Sequence, residues 1–141
     1  MKMSVSRTEV WAATIDDRPG GVADKLKALA EAGANLGMIL ARRTPEQRGH
    51  GVVFVTPLKG RKQIKAAEAA GFQKTETLHS LRVETADRPG FGAKLTRAVA
   101  DAGVNLRGVS ATALGKRCAV YVVADTAKQL ARVSSALKRL V

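Results

Sequence analysis

Cysteine, aromatic residues and long apolar runs are scarce in this sequence. The one cysteine, Cys118, excludes an internal disulfide bond, which suits a protein of the reducing cytoplasm. No apolar run approaches the roughly 18 residues that a membrane-spanning helix needs, and the N-terminal segment lacks the apolar stretch typical of a signal peptide. We therefore expect a cytoplasmic protein that does not insert into a membrane.

Side chains that support catalysis or metal binding are scarce too. The two histidines, His50 and His79, do not have the spacing of metal ligands, and no Ser-His-Asp or paired-carboxylate arrangement is recognisable. Cys118 borders an apolar strand, a position typical of a core residue and not of a nucleophile. The sequence therefore predicts neither an enzyme nor a metal site, and it implies no cofactor.

Acidic residues are outnumbered along the whole chain. There are 24 Lys and Arg against 12 Asp and Glu, so the formal net charge is +12. Residues 1–70 carry 12 basic and 7 acidic groups, and residues 71–141 carry 12 and 5. Because a spread positive charge attracts nucleic acid, anionic lipid and acidic metabolites alike, it indicates a class of partner only weakly.

The chain does contain an internal repeat. Asp-Arg-Pro-Gly at residues 17–20 returns at residues 87–90, a spacing of 70 residues, and Ala-Gly-x-Asn-Leu returns at the same spacing. Between residues 17–36 and 87–106, 11 of 20 positions are identical. Since a repeat determines the fold prediction, we expect two small domains, at residues 1–78 and 79–141, that pack on each other.

Each repeat predicts the same order of strands and helices. Pro19 suits a first helical turn and Gly33 a helix end, and apolar residues between them recur at helical spacing. Two split βαβ motifs fold as an antiparallel sheet with both helices on one face, so the predicted class is α+β. Repeat two shows no fourth strand, and either residues 3–6 or a second subunit would fill that edge. The predicted elements are strands at 8–15, 36–41, 52–55, 75–78, 81–85, after 105 and at 119–123, with helices at 22–32, 61–70, from 91 and at 126–140.

The repeated turn carries groups that suit a zwitterion. Free N–H groups and the positive end of the helix dipole attract a carboxylate, and Gly20 and Gly90 let a ligand approach closely. Asp17 and Asp87 would face an ammonium group, and the Asn after each helix offers a donor and an acceptor. The alternative is structural: Asp caps the helix, Pro-Gly forms the turn, and Gly-x-Asn marks the passage from helix to strand.

The chain contains twice, at fixed spacing, the Asp-Arg-Pro-Gly turn, an Ala-rich helix and Gly-x-Asn-Leu. This pattern resembles the ACT domain family of small regulatory modules in amino-acid metabolism. The resemblance implies two ferredoxin-like βαββαβ units whose sheets pair side by side and bind an amino acid at the pairing interface. It implies an amino-acid sensor that controls a metabolic enzyme or regulator, and the open edge of repeat two favours a homodimer. The ligand-binding residues implied are Asp17, Arg18, Pro19, Gly20, Asn35, Leu36, Asp87, Arg88, Pro89, Gly90, Asn105 and Leu106.

Three features depart from the family pattern. Gly21 and Lys25 stand where apolar residues are usual, and repeat two lacks the last strand. Ligand binding by both repeats, by one repeat or by neither therefore stays open.

A basic ferredoxin-like nucleic-acid-binding protein is the alternative. The RNA-recognition motif has the same element order and carries aromatic residues on its third strand. Here those positions hold His50, Val52 and Val55, and aromatic residues make up 4% of the chain. Because bases bind mainly by stacking on aromatic rings, nucleic acid is not the expected partner.

Overall fold

The structure, a computed structural model, describes residues 3–140, with all side chains in that range except those at positions 76 and 77. The predicted α+β class is confirmed, and none of the helices in this range is long and apolar enough to cross a membrane. The elements are β1 (Ser4–Asp16), α1 (Gly21–Glu31), β2 (Met38–Arg43), β3 (His50–Thr56), α2 (Gly60–Ala69), β4 (Gln73–Ala86), α3 (Phe91–Asp101), β5 (Gly108–Leu114), β6 (Arg117–Ala124) and α4 (Ala127–Lys138).

The described chain forms two compact units. The first unit is Glu9–Thr75, and the second unit joins residues 76–140 to residues 3–8. Strands follow the order β2-β3-β1-β4 in the first unit and β1-β4-β6-β5 in the second, with β1 and β4 contributing residues to both. The β1–β3, β2–β3, β4–β6 and β5–β6 pairs are antiparallel, so the predicted βαββαβ arrangement is confirmed.

The core of the first unit lies between its sheet and its two helices. Leu29 of α1 and Ala67 of α2 are fully buried and join a cluster with Val53 and Val55 of β3 and Phe72. Alternate residues of β3 point into this core, as expected of a strand with one covered face. Both helices therefore cover the same face of the sheet, as predicted.

The second unit repeats this arrangement with larger helix side chains. Leu95 and Val99 of α3 pack with Leu130 and Val133 of α4 over the buried residues of β4 and β6. Residues four apart, or three apart, share one helix face, which is why these side chains meet the sheet together.

The N-terminal strand completes the second unit. Met3 and Val5 pack against its core, and residues 4–8 of β1 belong to it. One of the two predicted ways to fill the edge of repeat two, by residues 3–6, is thereby confirmed. The open edge that favoured a homodimer is occupied by the chain itself, and the domain limits 1–78 and 79–141 stay a prediction.

The predicted break between two strands near His79 and Ser80 is wrong. A single strand, β4, runs from Gln73 to Ala86 and contains neither Gly nor Pro. Ser80 lies opposite Val123 of β6 and is buried. Pairing with a neighbouring strand therefore overrides the local preference of two polar residues for a turn.

Candidate ligand-binding site

The repeated turns connect β1 to α1 and β4 to α3, and each is tied to the hairpin beside it. The backbone N–H of Asp17 donates to the carbonyl of Gly49 at 2.9 Å, and that of Asp87 donates to the carbonyl of Lys116 at 2.8 Å. The same backbone contact thus fixes each aspartate next to the loop that joins the two hairpin strands. This contact uses backbone atoms only and involves neither carboxylate.

The backbone conformation explains why glycine is repeated at positions 20 and 90. Gly20 and Gly90 are the N-cap residues of α1 and α3, with φ angles of 89° and 82°. That left-handed region costs other residues about 1–2 kcal/mol, so glycine is favoured at both positions. Neither helix has a side-chain cap, and the expectation that Asp17 or Asp87 caps the helix is wrong.

In the first repeat, side chains of the chain itself bind the charged groups of the turn. Arg43 of β2 places Nε 3.0 Å from Oδ2 and 3.1 Å from Oδ1 of Asp17. Arg18 places Nη2 2.8 Å from the Asp24 carboxylate and Nε 3.6 Å from Asp16. The hydrogen bond that Arg18 donates to the Asp24 carboxylate, followed by the negative charge of Asp24, raises the pKa of the Arg18 guanidinium. Asp17 and Arg18 of the first turn are therefore both paired with side chains of the chain itself.

The second repeat lacks those partners. Seventy residues after Arg43, Asp24 and Asp16 the sequence has Ala113, Lys94 and Ala86. Among the residues that the structure describes, the side chains of Asp87 and Arg88 form no ion pair and no hydrogen bond. One carboxylate and one guanidinium are therefore available at this turn.

A pocket of about 180 Å³ lies beside the second turn. Cys118 forms part of its wall, and its thiol lies 3.9 Å from the carbonyl oxygen of Ala86. The expectation that Cys118 is a core residue is confirmed, since the residue is 7% exposed. The pocket is lined by Asp87, Arg88, Gly90, Phe91 and Gly92, by Ala111, Thr112 and Ala113 of β5, and by Cys118 and Val120 of β6.

Other predicted site residues lie elsewhere. Asn35 and Asn105 are exposed and are not among the residues that line this pocket. Leu36 and Leu106 pack against the two cores, which explains their repetition by packing alone. Of the predicted residues in repeat two, the pocket brings together Asp87, Arg88 and Gly90, whereas strand residues of β5 and β6 complete it. The role of Asp87, Arg88 and Gly90 as ligand contacts stays a prediction.

The first repeat has a different pocket, of about 380 Å³, between the start of α1 and the end of α2. Lys25 lines it and donates to the carbonyl of Ala70, where the free carbonyls of a helix end favour a cation. A side chain at Gly21 would place Cβ 2.3 Å from the Asp16 carbonyl oxygen. These contacts give Gly21 and Lys25, two of the departures from the family pattern, structural roles.

The structure also bears on two other kinds of site, a metal site and an RNA-binding surface. Among the side chains that the structure describes, no group of three His, Cys, Asp or Glu residues could hold a metal ion. Val55, at one of the aromatic positions of an RNA-recognition motif, is fully buried in the first core. That position therefore offers no surface on which a base could stack.

Comparison with solved structures identifies the fold. No family model and no curated protein matches the sequence. Protein BT0572 from Bacteroides thetaiotaomicron aligns with a TM-score of 0.78 and 16% identity, covering 96% of this chain and 89% of that one. The ligand-free regulatory subunit of aspartate kinase from Thermus thermophilus aligns with a TM-score of 0.63 and 21% identity, covering 96% and 97%. The chain has the tandem ACT fold.

The same fold is found as part of a longer chain. Aspartokinase III of E. coli, solved with aspartate and ADP, aligns with a TM-score of 0.56 and 12% identity. This chain covers 33% of that enzyme, and 96% of this chain is aligned. At such identities the likeness establishes the tandem ACT fold, as the sequence resemblance predicted, and the chemistry of the site depends on the residues of this chain.

Proposed function

We propose that the protein is a non-catalytic regulatory protein that binds a small amino acid and controls a metabolic enzyme or regulator. The observation that carries this proposal is the second turn, where Asp87 and Arg88 line a pocket and have no ion pair among the described residues. An amino acid brings an ammonium and a carboxylate, which are the charge complements of these two side chains. The aspartate kinase regulatory subunit with the same fold supports the regulatory role.

The walls of the pocket suggest how binding is transmitted. The turn at residues 87–90 and the β5–β6 hairpin both line it, so a bound ligand contacts two separate segments of the second unit. A ligand shifts an equilibrium by as much as its affinity differs between the two states. Binding therefore favours conformations in which the turn and the hairpin are held together, and a partner protein would recognise that state.

A homodimer paired through sheet edges fits this proposal. β2 and β5 are the last strands in the observed order, and edge strands offer unpaired backbone groups. Ile39 and Val109 occupy the same position in the two repeats and are 50% and 51% exposed. Multi-angle light scattering should give about twice the 14.9 kDa chain mass, and Val109→Lys should shift it to the monomer. A monomer at every concentration would remove the dimer from the proposal.

Calorimetric titration with each of the twenty amino acids tests the binding function. We expect heat of binding for at least one small amino acid at millimolar concentration or below, in about 0.15 M salt, where exposed charges are screened beyond ~8 Å. No heat for any amino acid would reject the proposal. A parallel titration with RNA addresses the alternative, since affinity that falls steeply with salt and shows no sequence preference is nonspecific charge attraction.

A further inference from the structure

We infer that only the second repeat binds the ligand, and that this ligand is an amino acid with a short, uncharged side chain. The inference rests on the proposed function and adds which copy of the turn works and what it accepts. The two repeats differ at three sets of equivalent positions.

Arg43 and Ala113 are the first difference. Both lie on the strand that follows the first helix of their repeat, 70 residues apart. Arg43 reaches the turn and binds both carboxylate oxygens of Asp17, at 3.0 and 3.1 Å. Ala113 cannot reach Asp87, and it lines the pocket instead. Arg43 thus supplies to the first turn the cation that an amino-acid ligand would bring.

Gly51 and Cys118 are the second difference. Gly51 pairs with Ile15 and Cys118 pairs with Thr85, and Ile15 and Thr85 are themselves 70 residues apart. Across the hairpin, Gly51 faces Arg43, whereas Cys118 faces Ala113. A Cβ at Gly51 would lie 2.6 Å from the Arg42 carbonyl oxygen. The first repeat therefore has no room for a side chain at the position equivalent to Cys118.

Arg18 and Arg88 are the third difference. Arg18 binds the Asp24 carboxylate at 2.8 Å, so the first turn also supplies its own anion. The residue equivalent to Asp24 is Lys94, whose positive charge cannot pair with Arg88. The five positions 16, 17, 18, 24 and 43 carry a net charge of −1, whereas positions 86, 87, 88, 94 and 113 carry +1. The second turn therefore attracts a carboxylate more strongly.

The lining of the second pocket limits the ligand side chain. Among the described residues that line it, Asp87 and Arg88 are the charged ones, and the ammonium and carboxylate of an amino acid would engage both. A charged ligand side chain would then be desolvated without a partner, which is unfavourable. The volume of about 180 Å³ is below the roughly 300–1,000 Å³ of pockets for drug-sized ligands. Alanine, serine, threonine and valine are therefore the probes of choice, with aspartate and lysine as the charged comparison.

Titration calorimetry with these six amino acids tests the inference on the full chain. We expect one ligand per chain and binding of at least one uncharged probe at least tenfold tighter than aspartate or lysine. Asp87→Asn should weaken binding at least tenfold, whereas Asp17→Asn should change it less than twofold. Ala113→Arg, which introduces the side chain of position 43, should also weaken binding at least tenfold. Leu114→Arg is the matched control, because it adds the same charge one residue further along β5, outside the pocket lining.

The outcomes separate the inference from the proposed function. Two ligands per chain, a preference for aspartate or lysine, or equal losses in Asp17→Asn and Asp87→Asn would overturn the inference while the binding function stands. Equal losses in Ala113→Arg and Leu114→Arg, with circular dichroism showing both folded, would also overturn it. If the unmodified protein bound none of the twenty amino acids, the proposed function would fall and this inference with it.

Discussion

Arg43 binds Asp17 across the first turn, with Nε 3.0 Å from Oδ2. The Arg43 side chain is 81% exposed and that of Asp17 is 35% exposed. Because water and salt screen such a pair, it contributes only about 0–1 kcal/mol to folding. The main consequence of the pair concerns ligand binding. Arg43 occupies the Asp17 carboxylate, whereas the equivalent Asp87 carboxylate of the second repeat stays available.

The first prediction is that this pair matters little for stability. Arg43→Ala should lower the free energy of unfolding by less than about 1 kcal/mol, as exposed ion pairs do. Urea denaturation of the single variants Arg43→Ala and Asp17→Ala, together with the double variant, measures the coupling between the two side chains. A coupling above about 2 kcal/mol would show that Arg43 is mainly a structural residue.

The second prediction separates two glycines of the second turn. Gly90 has a φ of 82°, so Gly90→Ala should destabilise the protein by about 1–2 kcal/mol. Gly92 lies in α3, and a Cβ added there would meet open space, so Gly92→Ala should stabilise the protein by about 0.5–1 kcal/mol. Urea denaturation of both variants gives the two signs. Equal changes in the free energy of unfolding would contradict the left-handed conformation of Gly90 as the reason for glycine there.

The third prediction concerns the N-terminal strand. Val5 packs against the core of the second unit, so Val5→Asp would place a charge against apolar side chains. Backbone amides of β4 and β6 should then exchange with deuterium faster than in the unmodified protein. Ser6→Asp is the control, because Ser6 is exposed and next in the same strand. Similar exchange rates of the β4 and β6 amides in Val5→Asp and Ser6→Asp would mean that residues 4–8 of β1 do not stabilise the second unit.

The fourth prediction is a pH dependence at Glu84. Arg82 and Arg117 lie 2.6 and 3.0 Å from its carboxylate oxygens. The hydrogen bond from Arg82, followed by the one from Arg117, holds the pKa of the Glu84 carboxyl below its usual range. A group with a lowered folded-state pKa stabilises the fold above its unfolded pKa, about 4.3, and loses that contribution as pH falls through the folded pKa.

Glu84→Gln tests that sign. The variant should be less stable than the unmodified protein at pH 7, and the difference should shrink as the pH falls below about 4. Urea denaturation of both proteins at a series of pH values measures the difference. A difference that stays constant between pH 7 and pH 3 would rule out a role for the Glu84 charge.

Features that depend on neighbouring residues could be predicted from the sequence. Gly33 lies just after α1, where a helix end was predicted, and the helix predicted at residues 126–140 is observed as α4, Ala127–Lys138. The break at His79 and Ser80 could not be judged locally, because cross-strand pairing with β6 determines it. For the same reason the sequence left two ways to fill the edge of repeat two.

Only part of the candidate site could be predicted. Its turn is repeated almost unchanged, so Asp87 and Arg88 were recognisable as candidates. The pairing of Arg43 with Asp17 joins residues 26 apart and depends on a side-chain conformation, which a sequence does not specify. The contribution of Cys118 and Ala113 to one pocket depends on strand register, since the two residues lie opposite each other.

The most direct test of ligand binding at the second turn is an NMR titration of the ¹⁵N-labelled chain with the uncharged amino acid that binds most tightly. We expect shifted amide signals at residues 87–92, 111–113 and 118–120, with residues 17–21 and 41–43 unchanged. Shifts concentrated at residues 17–21 and 41–43, or no shifts with any amino acid, would contradict binding at the second turn.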